Sequence, residues 1–266
     1  MVTRYVAHRG GAAAWPENSL TAFRNAMALG ARVLELDVHL TADGEVAVIH
    51  DPTLDRTTTA SGAVARCTAA DLRRARLRGR DGALSDDCVP TLPEVLALVA
   101  PTDVTLLVEI KTPGPAVRYE RHGATVTATP GARYEGLERK VIEALTLAGV
   151  GARSIVMAFN PGVLAAVREL APGQRTALLV DAHHVAAAAA RPEDAVRWAI
   201  DARASFLGVH YSLCDAAVVT AAHAAGIAVG VFTVNDEATM RRLAALGADV
   251  IISDRADIVV RLQAEA

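Results

Sequence analysis

Apolar positions along the chain fall into short, nearly continuous runs separated by stretches of helical period. The runs cover residues 4–7, 33–38, 104–110, 154–159, 176–180, 206–211, 227–234 and 250–253. Strands buried on both faces read this way, without the apolar–polar alternation of a half-exposed sheet. Between them, Leu20, Phe23, Ala26 and Met27 recur with helical spacing. Pro16-Glu17-Asn18-Ser19 supplies a helix start before that stripe and Gly30 a stop after it. Leu92, Val95, Leu96 and Val99 repeat the pattern behind Thr91-Leu92-Pro93-Glu94. Further helices are predicted at 135–148, after Asn160-Pro161, at 193–202, 215–225 and 236–246, and at the chain's end. Eight strand–helix units predict an α/β fold of one kind, a (β/α)8 TIM barrel, as a single domain over residues 1–266.

Two stretches interrupt the alternation. Residues 46–49 follow the second strand after only the turn Ala42-Asp43-Gly44. Without a crossover helix this run is antiparallel, an excursion at the barrel mouth. Residues 52–90 have weak strand periodicity and one short predicted helix at 68–74. Together they predict a small lobe at about 39–90, inserted after strand 2 above the mouth. Its basic run, residues 76–80, reads as a solvated face. Residues 112–134 are long for a βα loop and rich in Pro, Gly and Thr. As a flap, this loop would bring Arg118, Tyr119, Arg121 or His122 to a leaving group. A solvated hairpin is the stronger reading for any one of them.

Composition changes little in this picture. The 266 residues are 52% hydrophobic and 21% charged, as for a globular chain with a large core. A net charge of −3 gives no electrostatic case for nucleic acid or an anionic membrane. No apolar run approaches the roughly 20 residues of a membrane span, and Met1-Val-Thr leaves no room for a secretory leader before the first strand. Cys67, Cys88 and Cys214 form an odd set without metal-like spacing, which favours reduced thiols and a cytoplasmic protein over a Cys67–Cys88 bridge.

The chemistry is concentrated at strand ends. Glu35 and Asp37 stand two apart on an apolar strand and so share a face, opposite Leu34, Leu36 and Val38. Salt bridges or a divalent cation would offset two such carboxylates. His8-Arg9-Gly10-Gly11 ends the first strand, His50-Asp51 the antiparallel excursion, and Glu109-Ile110-Lys111 the third strand. In a parallel barrel these ends converge on one mouth. Three carboxylates suit a hard cation, Arg and Lys suit phosphate, and two histidines can divide base and acid work. The combination reads as metal-assisted cleavage of a phosphoester.

His8-Arg9-Gly10, Glu17-Asn18, Glu35-Leu-Asp-Val38, Asp43-Gly44, His50-Asp51, Glu109-Ile-Lys111 and Val231-Phe-Thr-Val-Asn-Asp236 together resemble the glycerophosphodiester phosphodiesterase family, from residue 6 to about 254. The resemblance implies a TIM barrel and metal-dependent hydrolysis of glycerophosphodiesters to glycerol 3-phosphate and an alcohol. It implies Glu35, Asp37 and Glu109 as ligands of one divalent cation, Mg²⁺ or Ca²⁺, and His8 and His50 as the general acid/base pair. Arg9 and Lys111 would hold phosphate. Asn18 would bind metal or phosphate, or cap the first helix. Phe159 and Phe232 would wall the glycerol; Phe232 stands where the family pattern leads us to expect Trp, which removes an indole donor. Asn235 matches the polar end of the same run. His39 is expected to be exposed, and His210 is a weaker candidate for the mouth. The partner is a small-molecule glycerophosphodiester. Direct attack by water and attack by the neighbouring glycerol hydroxyl use the same groups. A phospholipase D-like or lyase activity on lysophospholipids, and a non-catalytic phosphodiester-binding barrel, are the alternatives. A metal-free phosphatidylinositol-type barrel ranks last, since it has no need of the acidic trio.

Overall fold

The computed structural model describes residues 2–123 and 125–265. In chain order the elements are β1 (Arg4–Ala7), α1 (Leu20–Leu29), β2 (Val33–Leu40), β3 (Val46–Val48), α2 (Ala69–Leu72), β4 (Arg76–Arg78), β5 (Leu84–Cys88), α3 (Leu92–Val99), β6 (Thr105–Ile110), β7 (Val117–His122) and β8 (Thr125–Pro130). There follow α4 (Leu137–Leu147), β9 (Ser154–Ala158), α5 (Pro161–Leu170), β10 (Arg175–Val180), α6 (Ala182–Ala187), α7 (Asp194–Asp201), β11 (Phe206–His210), α8 (Ala216–Ala224), β12 (Ala228–Phe232), α9 (Glu237–Leu246), β13 (Val250–Ser253) and α10 (Ala256–Glu265).

Eight parallel strands close on themselves in the order β1, β13, β12, β11, β10, β9, β6, β2, with Ala7 opposite Leu34 completing the ring. This is the predicted (β/α)8 barrel. Strand pleating divides its residues between two apolar environments. Leu34, Leu36 and Val38 pack with the helices, while Val33, Leu107, Ile155, Met157, Leu179 and Ile252 fill the lumen. On β2 the lumen face continues as Glu35, Asp37 and His39, so the acidic pair replaces the next apolar layer of the barrel interior. The same alternation corrects the expectation for His39, which is buried at the end of that row. Its Nδ1 lies 2.9 Å from the Tyr134 hydroxyl and its Nε2 3.0 Å from the His50 carbonyl oxygen.

β3 pairs antiparallel with β2, His39 opposite Ala47, as the missing crossover requires. The residues after it form the inserted lobe, whose small core contains Ile49, Leu54, Val64, Leu72, Leu77 and Val89. β4 and β5 pair antiparallel within it. All three cysteines are free.

The segment 112–134 contains a regular hairpin, β7 against β8. It is not simply solvated. Tyr119 stacks on Trp198 at 4.3 Å, Trp198 Nε1 donates to the Val126 carbonyl, and Arg121 donates to the carbonyls of Ala188 and Ala189. Sequence pattern missed this because the contacts are made to α7 and to the end of α6, far along the chain. The His122 side chain lies outside the described residues.

Candidate active site

The turn from β1 into α1 shapes one wall of the mouth. Gly10 has φ +77°, and a Cβ there would come 2.8 Å from the Ala22 Cβ, so this tight approach requires glycine. Ser19, not Asn18, caps α1 by accepting from the Ala22 amide. Asn18, in the left-handed region at φ +59°, is free to turn inward. Its Nδ2 donates to Asp37 Oδ2 at 2.9 Å and its Oδ1 accepts from the Asp37 amide at 3.3 Å.

Glu35, Asp37 and Glu109 come together at the top of the lumen, all buried. One carboxylate oxygen from each lies within 4.8 Å of the others. Lys111 Nζ is 2.5 Å from Glu109 Oε1 and 2.9 Å from Asp37 Oδ1. Arg9 donates its amide to Glu35 Oε2 at 3.0 Å, and its Nε lies 3.2 Å from Asp37 Oδ2. Those last two approaches to Asp37, by Lys111 and by Arg9 Nε, are out of line: Asp37 Oδ1 and Arg9 Nε are buried without a hydrogen-bond partner. Charge divides the trio. Burial, reinforced by the charges of Asp37 and Glu109, pushes the Glu35 carboxyl well above its ordinary range. Burial acts the same way on Asp37, but Lys111 and Arg9 outweigh it and hold that carboxyl well below. Three buried carboxylates therefore face two cations, Lys111 and Arg9. An oxygen-rich, buried cluster of this kind fits a hard divalent cation.

His8 and His50 flank the trio. His8 Nδ1 is 2.6 Å from Asp254 Oδ1, and its Nε2 is 3.7 Å from Glu35 Oε2. Burial lowers the pKa of His8, against the opposing effect of its hydrogen bond to the Asp254 carboxylate. Asn235 Nδ2 donates to Asp254 Oδ2 at 2.9 Å, and its Oδ1 accepts from the Asp254 amide. His50 Nδ1 is 2.7 Å from Asp51 Oδ1. Arg56 then ties the lobe to the mouth, donating to both oxygens of Asp51 and both of Glu17 at 2.6–2.9 Å. Glu17 in turn accepts from Arg9 at 3.0 Å.

These groups open on one cavity of about 280 Å³, lined by His8, Arg9, Glu35, His50, Glu109 and Lys111 on one side. Met157, Phe159, Leu179 and Phe232 form its apolar wall, and Asp181, His210 and Thr233 complete it. Of the predicted residues, Asn18 and Asp37 stand behind this surface. The hairpin residues Arg118, Tyr119 and Arg121 do not line it. Asp254, Glu17 and Arg56 were not singled out from sequence for the contacts they make. A signal existed for Asp254: it is the first residue past β13, an ionisable group at a barrel strand's C-terminal end.

A parallel barrel with cation, anion and imidazole groups gathered at the strand C-termini defines a hydrolase of the phosphoester-cleaving class. The chain belongs to the glycerophosphoryl diester phosphodiesterase family, whose model matches residues 8–258. It is 31% identical to a glycerophosphodiester phosphodiesterase of Caldanaerobacter subterraneus subsp. tengcongensis, with 98% of each chain covered. Against another of that name from Bacillus altitudinis it is 32% identical, with 99% of each covered. A crystal structure from Agrobacterium tumefaciens, described as a candidate glycerophosphoryl diester phosphodiesterase, superposes with a TM-score of 0.81 at 28% identity over 100% of this chain and 98% of that one.

Proposed function

We propose that the protein hydrolyses glycerophosphodiesters to glycerol 3-phosphate and an alcohol, using one divalent cation, Mg²⁺ or Ca²⁺. The observation that carries this reading is the convergence on one cavity of Glu35 and Glu109, with Asp37 clustered behind them, two carboxylate-tethered histidines and the pair Arg9 and Lys111. Glu35, Asp37 and Glu109 would hold the cation, which when bound polarises the phosphoryl group and neutralises charge gathering on it. Arg9 and Lys111 bind the phosphate oxygens, Arg9 through its fork and Lys111 as a point charge. Asn18 orients Asp37 rather than touching substrate. Phe159 and Phe232 wall the carbon chain of the glycerol.

His8 and His50 are the acid/base pair. Each has its Nδ1 beside a carboxylate, Asp254 and Asp51 respectively. Such a partner favours the Nδ1–H tautomer in a neutral ring and leaves Nε2 free to take a proton. One histidine removes the proton from the attacking oxygen, either that of water or that of the neighbouring glycerol hydroxyl, in which case water then opens the cyclic phosphate, and the other histidine returns a proton to the departing alkoxide. The P–O bond to the alcohol breaks as the new P–O bond forms. The whole chain works as one domain, with the lobe at about 39–90 roofing the mouth. Among the described residues no helix is long and apolar enough to cross a membrane. Free thiols suit a reducing compartment, and we place the protein in the cytoplasm.

Single His8→Ala and His50→Ala variants, assayed for glycerol 3-phosphate released from glycerophosphoglycerol, test this reading. Each is expected to lower kcat by roughly 10² to 10⁴-fold. Retention of wild-type kcat in either would remove that histidine from the mechanism.

A further inference from the structure

Beside the mouth, a second cavity of about 430 Å³ opens between the lobe and the β1–α1 turn. Four guanidinium groups line it, those of Arg9, Arg56, Arg78 and Arg80, against two carboxylates, Glu17 and Asp254. Arg9 and Arg56 are tied to Glu17, Asp37 and Asp51. Arg78 is different. Its Nε donates to the Thr58 carbonyl at 3.0 Å, and no carboxylate pairs with it among the described residues. Arg80 reaches only to 3.7 Å from Asp254 Oδ2. The basic run expected to be a solvated face is therefore split. Arg76 does point to Ser85 and Asp86 at the surface, whereas Arg78 and Arg80 turn to the cavity.

Thr57 supplies an independent observation. It lines the same cavity, is 6% exposed, and its Oγ1 has no hydrogen-bond partner. Buried hydroxyls are ordinarily satisfied, and an exception calls for a missing acceptor. The Arg78 fork without a carboxylate, the loosely held Arg80 and an unpaired hydroxyl donor on one surface describe an anion site.

We propose that this cavity receives the leaving alcohol of the substrate and selects alcohols that carry a further phosphate group. The inference rests on the phosphodiesterase reading above. The two cavities share His8, Arg9 and Thr233, so a phosphodiester held at that boundary extends one arm into each. The apolar wall of Phe159 and Phe232 suits glycerol carbons. The other arm enters a region with a net positive charge, where a trimethylammonium alcohol is disfavoured. A phosphodiester brings an uncompensated negative charge to two forks and a hydroxyl, whereas the carboxylate of a serine alcohol is offset by its own ammonium group.

The test compares bis(glycerophospho)glycerol, glycerophosphoserine and glycerophosphocholine in the wild type and in R78A/R80A, at saturating divalent cation and low salt. Thermal unfolding checks that the variant is folded. The wild type is expected to favour the bis-phosphate over the choline substrate by about tenfold in kcat/KM. The variant should abolish that preference through KM, leaving turnover of glycerophosphocholine within about twofold. Equal use of both substrates by the wild type, or a parallel loss on both in the variant, would overturn the proposal. A preference for glycerophosphoserine over the bis-phosphate would overturn the phosphate assignment. If no substrate is hydrolysed, the phosphodiesterase reading itself fails. Calorimetric titration with inorganic phosphate then decides the cavity: binding weakened at least about tenfold in R78A/R80A supports an anion site, and unchanged binding rejects it.

Discussion

His8 Nδ1 and Asp254 Oδ1 are 2.6 Å apart, although 246 positions separate the two residues in sequence. The contact joins the ends of the first and last barrel strands, which pair with Ala7 opposite Ser253. Closure of the barrel thus builds the partner that orients one of the two proposed proton-transfer groups. Asn235 holds Asp254 twice, donating its Nδ2 to Asp254 Oδ2 and accepting from the Asp254 amide at its Oδ1.

Asp254→Asn removes the charge behind His8 while keeping the shape. Asp254 acts as a positioning residue here, so its loss is expected to reduce kcat by roughly 10²-fold with KM changed little. Burial already lowers the pKa of His8, and Asp254 opposes that effect. NMR titration of the His8 ring should therefore show a lower pKa in the variant. An unchanged ring titration with unchanged kcat would leave Asp254 without this role.

Asn18 combines a strained backbone with a buried amide. Asn18→Gly keeps the left-handed conformation and removes the bonds to Asp37, at a cost of about 1–3 kcal/mol. Asn18→Ala loses the same bonds but keeps a Cβ at φ +59°, so it should be less stable than the glycine variant by about 1–2 kcal/mol. Urea denaturation of the two variants should rank them in that order. Equal stabilities would mean that the backbone relaxes out of this region.

Two buried histidines set an acid-side stability profile. Burial pushes His39 and His184 down to about 4. An unfolded chain takes up these protons near the ordinary value of about 6.5. Between about pH 6.5 and 4 the unfolded state therefore binds more protons, and stability falls as pH is lowered through that window. For His39 the loss amounts to at most roughly 3 kcal/mol. Melting temperature followed from pH 7 to 4 should drop accordingly, and less steeply in His39→Gln. A profile flat over that window would mean that His39 is charged in the folded protein.

The barrel was legible in the sequence because strands buried on both faces leave apolar runs that helical stripes then punctuate. Glu35, Asp37, Glu109, His8 and His50 were legible because an ionisable group at the end of an apolar run is costly unless it serves chemistry or pairing. His39 misled for the opposite reason: a polar residue at a strand–turn junction looks solvent-facing until the lumen row of β2 is followed one step further. The hairpin contacts of Tyr119 and the cavity role of Arg78 were not legible. Both depend on where an insertion folds back, and periodicity carries no information about that.

A divalent cation held by the carboxylate trio is the centre of the proposed mechanism. The measurement is glycerol 3-phosphate release from glycerophosphoglycerol by chelator-stripped protein, before and after Mg²⁺ or Ca²⁺ is restored, with Glu109→Gln alongside. Activity is expected to be lost on stripping and recovered with one of the two cations, with a higher cation concentration for half-recovery in the variant. Full activity in the stripped protein would contradict that mechanism.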